Sequence, residues 1–245
     1  MKDSLKILIA NDDGIRAPGI ALLAELARPF GEVYVAAPEG QCSGMSVKLT
    51  IRPEREMAVR PYALAADVKG AWSVDGTPAD CVKVALKYLL DFKPDIVLSG
   101  INDGMNAGLD VAYSGTVGAA TEGVLNGVQA IAFSCQSGLN EPIVRQYLPS
   151  VLQELLERPL APGLLWNVNF PACPPERCRG ILRERFPEKH SYYENDYACV
   201  REEDGVQYLT PVACALRPEL TAPGSDIRAV FDGYISIGSV RCAPF

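Results

Sequence analysis

The feature that most constrains the fold is an apolar run near the start of the chain that ends in one amide and two carboxylates. Ile7-Leu8-Ile9-Ala10 is followed directly by Asn11-Asp12-Asp13-Gly14. Apolar residues without alternation are typical of a strand covered on both faces, as in a parallel sheet between helices. Ligands bind at the carboxyl edge of such sheets, so we expect a functional site where this strand ends.

The two adjacent carboxylates of Asp12 and Asp13 repel each other, and a shared proton or a bound cation usually relieves such repulsion. We therefore interpret them as a metal-binding pair. The same four residues, Asn-Asp-Asp-Gly, are also a common turn in which the acids are simply solvated. The local sequence alone does not choose between the two interpretations.

Composition limits the classes of function. The chain has 245 residues, of which 48% are hydrophobic and 22% charged, with no apolar run of 18 residues. We therefore expect a soluble globular protein without a membrane partner. The first strand starts too early to leave room for a signal peptide, which predicts a cytoplasmic location. A formal charge of −7 argues against a nucleic-acid partner, because backbone binding depends on Lys and Arg.

Cysteine and histidine usage argues against several kinds of site. The eight cysteines show no C-x-x-C pair and no zinc-binding spacing. Cys173 and Cys178 could pair in an oxidising compartment, but reduced thiols are expected in the cytoplasm. Because His190 is the only histidine, the sequence disfavours nucleophiles that need a histidine base.

Strand and helix patterns alternate along the first two thirds of the chain, which predicts an α/β fold with a mostly parallel sheet. Helix starts are marked by Pro18, by Thr77 before Pro78, and by Ser114. Predicted strands cover about 7–10, 33–38, 96–102, 130–134 and 164–170, and predicted helices about 18–30, 78–89, 117–125 and 143–156. The pattern is too weak for an assignment between Leu49 and Trp72.

The same patterns suggest a division of the chain. We predict a catalytic core over residues 1–171 and a C-terminal extension over residues 172–245. The extension would contain a protruding arm, a short helix capped by Ser225 and a half-buried strand at 234–240. Since the predicted sheet is complete by Phe170, we expect the extension to mediate self-association.

Two further segments should reach the edge where Asp12 and Asp13 lie. The loop after the second strand contains Ser43-Gly44, and the strand at 96–102 ends at Asn102. Asn106 and Ser114-Gly115-Thr116 then precede a helix of small residues, whose free N–H groups can hold a phosphate. A tightly packed helix start without a ligand would produce the same pattern.

Together these residues predict a phosphatase-like site. Oxygen ligands suit a hard cation such as Mg²⁺ or Mn²⁺, and such a cation can lower the pKa of a bound water without any histidine. The predicted ligands are Asp12, Asp13, Ser43 and Asn102.

With these motifs in order, the chain resembles the SurE-type 5′-nucleotidases, also called survival protein E. The resemblance is carried by Ile9-Ala10-Asn11-Asp12-Asp13-Gly14-Ile15, Ser43-Gly44, Val74-Asp75-Gly76-Thr77-Pro78-Ala79-Asp80-Cys81, Ser99-Gly100-Ile101-Asn102-Asp103-Gly104, and Tyr113-Ser114-Gly115-Thr116-Val117. Asn167-Val168-Asn169-Phe170-Pro171 and Gly233-Tyr234-Ile235-Ser236-Ile237 extend it to nearly the whole chain.

The resemblance implies a three-layer Rossmann-like core and a metal-dependent enzyme that hydrolyses nucleoside 5′-monophosphates to nucleoside and phosphate. It implies one Mg²⁺ or Mn²⁺ per subunit and dimers or tetramers built through the C-terminal arms. The implied catalytic residues are Asp12, Asp13 and Asn102, and the implied substrate or phosphate contacts are Asn11, Ser43, Gly44, Asn106, Ser114, Gly115 and Thr116. Hydrolysis of 3′-nucleotides and of short polyphosphate is left open.

The chain departs from the SurE pattern in two places, and three other kinds of protein are alternatives. Cys42 stands where related chains often carry a basic or polar residue, and residues 173–208 match loosely. A haloacid-dehalogenase-type phosphatase needs a second Asp two residues after the first, where this chain has Gly14 or Ile15. A dinucleotide-binding G-x-G-x-x-G is absent after the first strand. A nucleotide-binding regulator without activity remains an alternative.

Overall fold

A computed structural model of the protein describes residues 4–242, apart from the side chains of residues 194–195 and 213–215. Its strands are β1 (Leu5–Ala10), β2 (Gly31–Pro38), β3 (Val59–Pro61), β4 (Gly70–Val74), β5 (Ile96–Asp103), β6 (Gln129–Cys135), β7 (Leu164–Phe170), β8 (Ile181–Leu182), β9 (Tyr193–Glu203), β10 (Val206–Ala215) and β11 (Ile235–Arg241). Its α-helices are α1 (Pro18–Ala27), α2 (Pro78–Val84), α3 (Gly115–Leu125), α4 (Glu141–Leu156) and α5 (Asp226–Phe231).

Nine of these strands form one sheet in the order β3-β4-β2-β1-β5-β6-β7-β11-β8. The six strands from β4 to β7 in this order are parallel to one another. β3 at one edge runs antiparallel to β4, and β11 runs antiparallel to β7. The predicted mostly parallel α/β fold is therefore confirmed.

Alternate residues of β1 show how the sheet is covered on both faces. Ile7 and Ile9 pack with α1 and α4, whereas Leu8 and Ala10 pack with α2 and α3. All four side chains are fully buried, which explains the apolar run without alternation. The result is the predicted three-layer arrangement of helices, sheet and helices.

The site edge follows from the order of the strands. β1 and β5 are neighbours in the sheet. The strand that follows β1 in the chain, β2, lies on one side of this pair, and the strand that follows β5, β6, lies on the other side. Loops leaving the carboxyl ends of β1 and β5 therefore diverge and leave a crevice between them. Asn11, Asp12 and Asp13 follow β1 directly at this crevice, as predicted.

Helix starts agree with the capping signals in the sequence. Thr77 and Asp80 form a capping box at α2, and the hydroxyl groups of Ser114 and Ser225 accept backbone N–H groups of α3 and α5. These local hydrogen bonds fix each helix start independently of the rest of the fold. Among the described residues, no helix is both long enough and apolar enough to cross a membrane.

The prediction that the sheet is complete by Phe170 is wrong. β11 pairs with β7 along its length, and Ile235 also pairs with Ile181 of β8. The sequence suggested a half-buried strand because Ser236 and Gly238 alternate with apolar residues, but both are buried. The segment predicted as an extension, residues 172–245, therefore contributes β8 and β11 to the main sheet, and residues 243–245 lie outside the described range.

The segment without an assignment, from Leu49 to Trp72, contributes β3 and the start of β4. β3 is a three-residue edge strand that ends at Pro61, a residue that cannot donate a ladder hydrogen bond. β4 pairs in parallel with β2 and reaches the turn before α2. Proline and charged residues at this edge interrupt the apolar pattern, so neither strand could be predicted from it.

The part that does leave the core is a hairpin of β9 and β10, which form a separate two-stranded sheet. Its large apolar side chains are largely exposed: Tyr197, Val200, Val206, Tyr208, Leu209 and Val212 are between 39% and 66% accessible. This hairpin is the arm that the sequence predicts, and it begins at Tyr193.

Candidate active site

A cleft of about 360 Å³ opens at the carboxyl ends of β1 and β5. It is lined by six of the predicted residues, namely Asp12, Ser43, Gly44, Asn102, Asn106 and Ser114. Three segments that are far apart in sequence therefore meet at one place. Their roles as metal ligands or substrate contacts remain predictions.

Asp12 lies on the floor of this cleft and is nearly inaccessible to solvent. The Thr116 hydroxyl donates a hydrogen bond to its Oδ1. Burial raises the pKa of the Asp12 carboxyl from 3.8 to about 6, although hydrogen bonds from Thr116 oppose the rise and the neighbouring Asp13 charge adds to it. A buried charge of this kind is relieved by a cation.

The start of α3 is shaped to receive this carboxylate. A Cβ atom added to Gly115 would lie 2.9 Å from Asp12 Oδ2, so only glycine allows the helix to approach so closely. The Thr116 amide also hydrogen-bonds to Asp12, and the Ser114 hydroxyl accepts from Val117 N at 3.1 Å. The positive end of the helix thus faces the Asp12 carboxylate.

This arrangement gives Gly115 and Thr116 a role in holding Asp12, and their predicted contact with phosphate stays a prediction. Neither residue lines the cleft, and both are buried against Asp12. The predicted cradle of free N–H groups is therefore in part occupied by a side chain of the protein. Gly115 and Thr116 hold Asp12, while Ser114 and Asn106 remain at the cleft as candidate phosphate contacts.

Asn11 supports the acidic turn, and its predicted contact with substrate stays a prediction. Its side chain is fully buried. The amide nitrogen donates to Gly14 O at 2.9 Å, and the amide oxygen accepts from Gly14 N at 3.2 Å. Both polar atoms are thus used to hold the turn that carries Asp12 and Asp13.

Asp13 is turned toward the end of β5. Its Oδ2 accepts the Asp103 amide at 3.1 Å. Burial raises the pKa of the Asp13 carboxyl, the Asp103 amide opposes the rise, and the Asp103 charge adds to it. Unlike Asp12, Asp13 does not line the cleft.

The donor set suits a hard cation. Neither Asp12 nor Asp13 forms an ion pair within the described part of the chain. The amide nitrogen of Asn102 donates a hydrogen bond to Gly104 O at 2.8 Å, so its Oδ1 can serve as a metal ligand. No group of three or more His, Cys, Asp or Glu residues in residues 4–242 could hold a metal, so neutral oxygens would have to complete this site. Oxygen-only donors favour Mg²⁺ or Mn²⁺ over zinc.

Asn106 is held by a hydrogen-bond network that the sequence analysis did not predict. Its amide nitrogen donates to Ser134 Oγ at 2.8 Å, and its backbone N–H donates to Asn169 Oδ1 at 3.0 Å. Asn167 and Asn169 both donate to its carbonyl. The feature of the sequence that could have indicated this network is the Asn-x-Asn spacing on β7, which places both amides on one face of the strand.

Asp110 and Tyr193 also line the cleft and are not among the predicted site residues. Asp110 Oδ2 accepts the backbone N–H groups of Tyr192 and Tyr193 at 2.6 and 3.1 Å. The Tyr193 hydroxyl accepts from Met105 N at 3.2 Å. Sequence patterns could not reveal Tyr193 as a site residue, because it is the first residue of an exposed hairpin.

Cys42 lies beside the cleft without adding a positive charge to it. Its amide donates to Asp12 O at 2.7 Å, so its backbone ties the loop after β2 to the acidic turn. Burial raises the pKa of the Cys42 thiol, and the Asp12 charge raises it further. The thiol is therefore neutral at physiological pH.

The raised pKa of Asp12 leads to a testable prediction for metal-free protein. Since the folded chain binds this proton more tightly than the unfolded chain, the contribution of Asp12 to wild-type stability falls between pH 3.8 and about 6 and stays lower above that range. Asp12→Asn keeps the side-chain size but removes the charge. At neutral pH in EDTA we expect its free energy of unfolding to exceed that of wild type by about 3 kcal/mol.

Urea unfolding in EDTA near pH 4 and near pH 7.5 measures this difference. Asp91→Asn is the matched control, because Asp91 is exposed and precedes β5 at the opposite edge of the sheet. We expect the Asp12→Asn advantage to be small near pH 4, and an equal advantage at both pH values would contradict the assignment.

Comparison with known proteins agrees with this geometry. Residues 7–192 match the family model described as survival protein SurE. The chain is 40% identical over 237 residues to the 5′-nucleotidase SurE of Neisseria gonorrhoeae, covering 95% of this chain and 91% of that protein. It also superposes on the crystal structure of the SurE protein from Aquifex aeolicus with a TM-score of 0.81 at 31% identity, over 98% of this chain and 94% of the other. The chain therefore belongs to the SurE family.

Proposed function

We propose that this protein is a 5′-nucleotidase that hydrolyses nucleoside 5′-monophosphates to nucleoside and phosphate in a reaction that depends on a divalent metal ion. One observation carries the proposal. The buried Asp12 lines the cleft with the neutral oxygens of Ser43 and Asn102, and neither Asp12 nor its neighbour Asp13 has a cationic partner in the described chain. The name of the Neisseria gonorrhoeae relative supports the choice of substrate.

The proposed metal ligands are Asp12, Asp13, Ser43 and Asn102. Mg²⁺ or Mn²⁺ bound there would polarise a phosphoryl oxygen and lower the pKa of a bound water. Asp12 is oriented by Thr116, and Asp13 by the Asp103 amide. These hydrogen bonds hold the two carboxylates in fixed orientations.

Asn106 and Ser114 are the proposed phosphate contacts. The Ser114 oxygen already accepts from Val117 N, so its own O–H is free to donate to a phosphate oxygen. Asn106 uses one N–H for Ser134 and keeps the second. These two donors would stabilise negative charge that increases on the phosphoryl oxygens during the reaction.

The first prediction concerns the activity itself. We expect phosphate release from nucleoside 5′-monophosphates with Mg²⁺ or Mn²⁺ and none above background after treatment with EDTA, because buried carboxylates alone cannot stabilise the reacting phosphate. A colorimetric phosphate assay over a panel of 5′- and 3′-nucleotides and tripolyphosphate also determines the substrate range. Equal rates in EDTA and in Mn²⁺ would refute the metal dependence, and nucleotide binding without release would favour a regulator.

The second prediction separates the two halves of the site. Asp13→Ala removes a charge from the proposed metal shell, so we expect metal affinity to fall together with kcat, by about 100-fold or more. Ser114→Ala removes one donor to phosphate, so we expect a higher KM and a loss of roughly 1–3 kcal/mol in transition-state stabilisation with normal metal binding.

Calorimetric Mn²⁺ titration and steady-state kinetics decide between these outcomes. Ser114→Ala also removes the cap of α3, which costs about 1 kcal/mol of stability. Ser225→Ala is the matched control, because it removes the same type of cap from α5 outside the cleft. If Asp13→Ala bound Mn²⁺ normally while Ser114→Ala did not, the assigned roles would be reversed.

The third prediction concerns assembly. We propose that the β9–β10 hairpin forms the contact between subunits. A two-stranded sheet is marginal by itself, and exposed apolar side chains favour burial in a partner. Asp196 and Val212 are cross-strand partners, so an Asn-Gly turn joining them can replace residues 197–211 without disturbing Tyr193.

We expect this shortened protein to be monomeric by light scattering, whereas the full chain is a dimer or tetramer. Tyr88→Ser serves as the control, because Tyr88 is 82% exposed outside the hairpin. An unchanged mass of the shortened protein would remove the hairpin from the interface.

A further inference from the structure

The cleft is lined by both polar and aromatic side chains. Asp12, Asn102 and Ser114 are among the polar residues, and the aromatic residues are Tyr113 and Tyr193. A volume of about 360 Å³ is more than a phosphate group needs and lies within the range of small-molecule sites. The remaining space must therefore accommodate the organic part of a substrate.

Tyr193 lies close to the proposed metal ligands. Its hydroxyl is 3.1 Å from the position that a Cβ atom of Gly104 would occupy, and the amide nitrogen of Asn102 is 3.4 Å from that same position. Gly104 has a φ of +140°, which disfavours a side chain there. The Tyr193 hydroxyl and the Asn102 amide thus both approach Gly104 closely.

Three contacts fix Tyr193 in place. Its hydroxyl accepts from Met105 N, and its backbone N–H donates to Asp110 Oδ2. Its ring packs edge-on against Tyr192 with 4.7 Å between centroids and 85° between planes. A ring that is already ordered can bind a planar ligand without an additional loss of side-chain entropy.

Tyr113 is less suitable for the same purpose. Its side chain is 65% exposed, and its hydroxyl makes no hydrogen bond within the described part of the chain. Ordering such a side chain on binding would cost part of the stacking energy.

We propose that Tyr193 is a specificity residue whose ring packs against the base of the nucleotide, which rests on the proposed 5′-nucleotidase function. Stacking on an aromatic ring tolerates every base, because every base has a π face. The site would then accept purine and pyrimidine nucleotides alike but disfavour sugar phosphates without a base. The first residue of the hairpin would thereby take part in substrate selection.

The test compares kcat/KM for AMP, for CMP and for ribose 5-phosphate, which lacks a base, with Mn²⁺ present. For Tyr193→Ala we expect the ratio of kcat/KM between AMP and ribose 5-phosphate to fall roughly tenfold, mainly through KM for AMP. CMP should show a drop in the same direction. Tyr193→Phe keeps the ring and should keep the ratio within about twofold.

Two further variants serve as comparisons. Tyr197→Ala lies on the exposed hairpin outside the cleft and should leave the ratio at its wild-type value. An unchanged ratio in Tyr193→Ala, or a drop that appears with Tyr113→Ala instead, would overturn the proposal. If Tyr193→Ala does not fold, Tyr193→Leu removes the aromatic face while keeping an apolar side chain, and the same ratio decides.

Failure of the proposed function gives a different result. A wild-type protein that releases phosphate from none of the three compounds with any divalent metal would refute the nucleotidase and the base contact together. Hydrolysis of all three with equal kcat/KM would leave the phosphatase in place and refute the role of Tyr193 alone.

Discussion

The burial of one carboxylate at the start of one helix organises the functional half of this molecule. Asp12 is nearly inaccessible, and its charge faces the Thr116 hydroxyl and the positive end of α3. Gly115 is required because any Cβ would collide with Asp12. The Cys42 amide then ties the next loop to the Asp12 carbonyl. β1, α3 and the loop after β2 are thereby held around a single buried charge.

Much of the core could be predicted from local signals. Apolar runs without alternation identify β1, β5 and β6 because both sides of the sheet are covered. Thr77, Ser114 and Ser225 mark helix starts because a cap is satisfied within a few residues. β11 was assigned to the extension because strand pairing is a non-local property, and a buried serine such as Ser236 has no distinguishing pattern in sequence.

The site could be located from sequence more reliably than its residues could be given roles. The convergence of Asp12, Ser43 and Asn102 follows from parallel strands ending at one edge. Whether a polar side chain faces the cleft or braces the backbone depends on its rotamer, which sequence does not encode locally. Asn11 and Thr116 illustrate this, since both are polar, adjacent to the cleft and fully buried in internal hydrogen bonds.

The position of β11 has a consequence for how the protein is made. During synthesis β7 leaves the ribosome with one edge unpaired, and the strand that covers this edge follows only after the whole β9–β10 hairpin. A long-lived open edge is where nascent chains pair wrongly with one another. The apolar hairpin is synthesised during that interval. A growing chain therefore exposes two surfaces that favour association, the open edge of β7 and the apolar side chains of the hairpin. Binding of a chaperone at this stage would protect both of them until β11 closes the sheet.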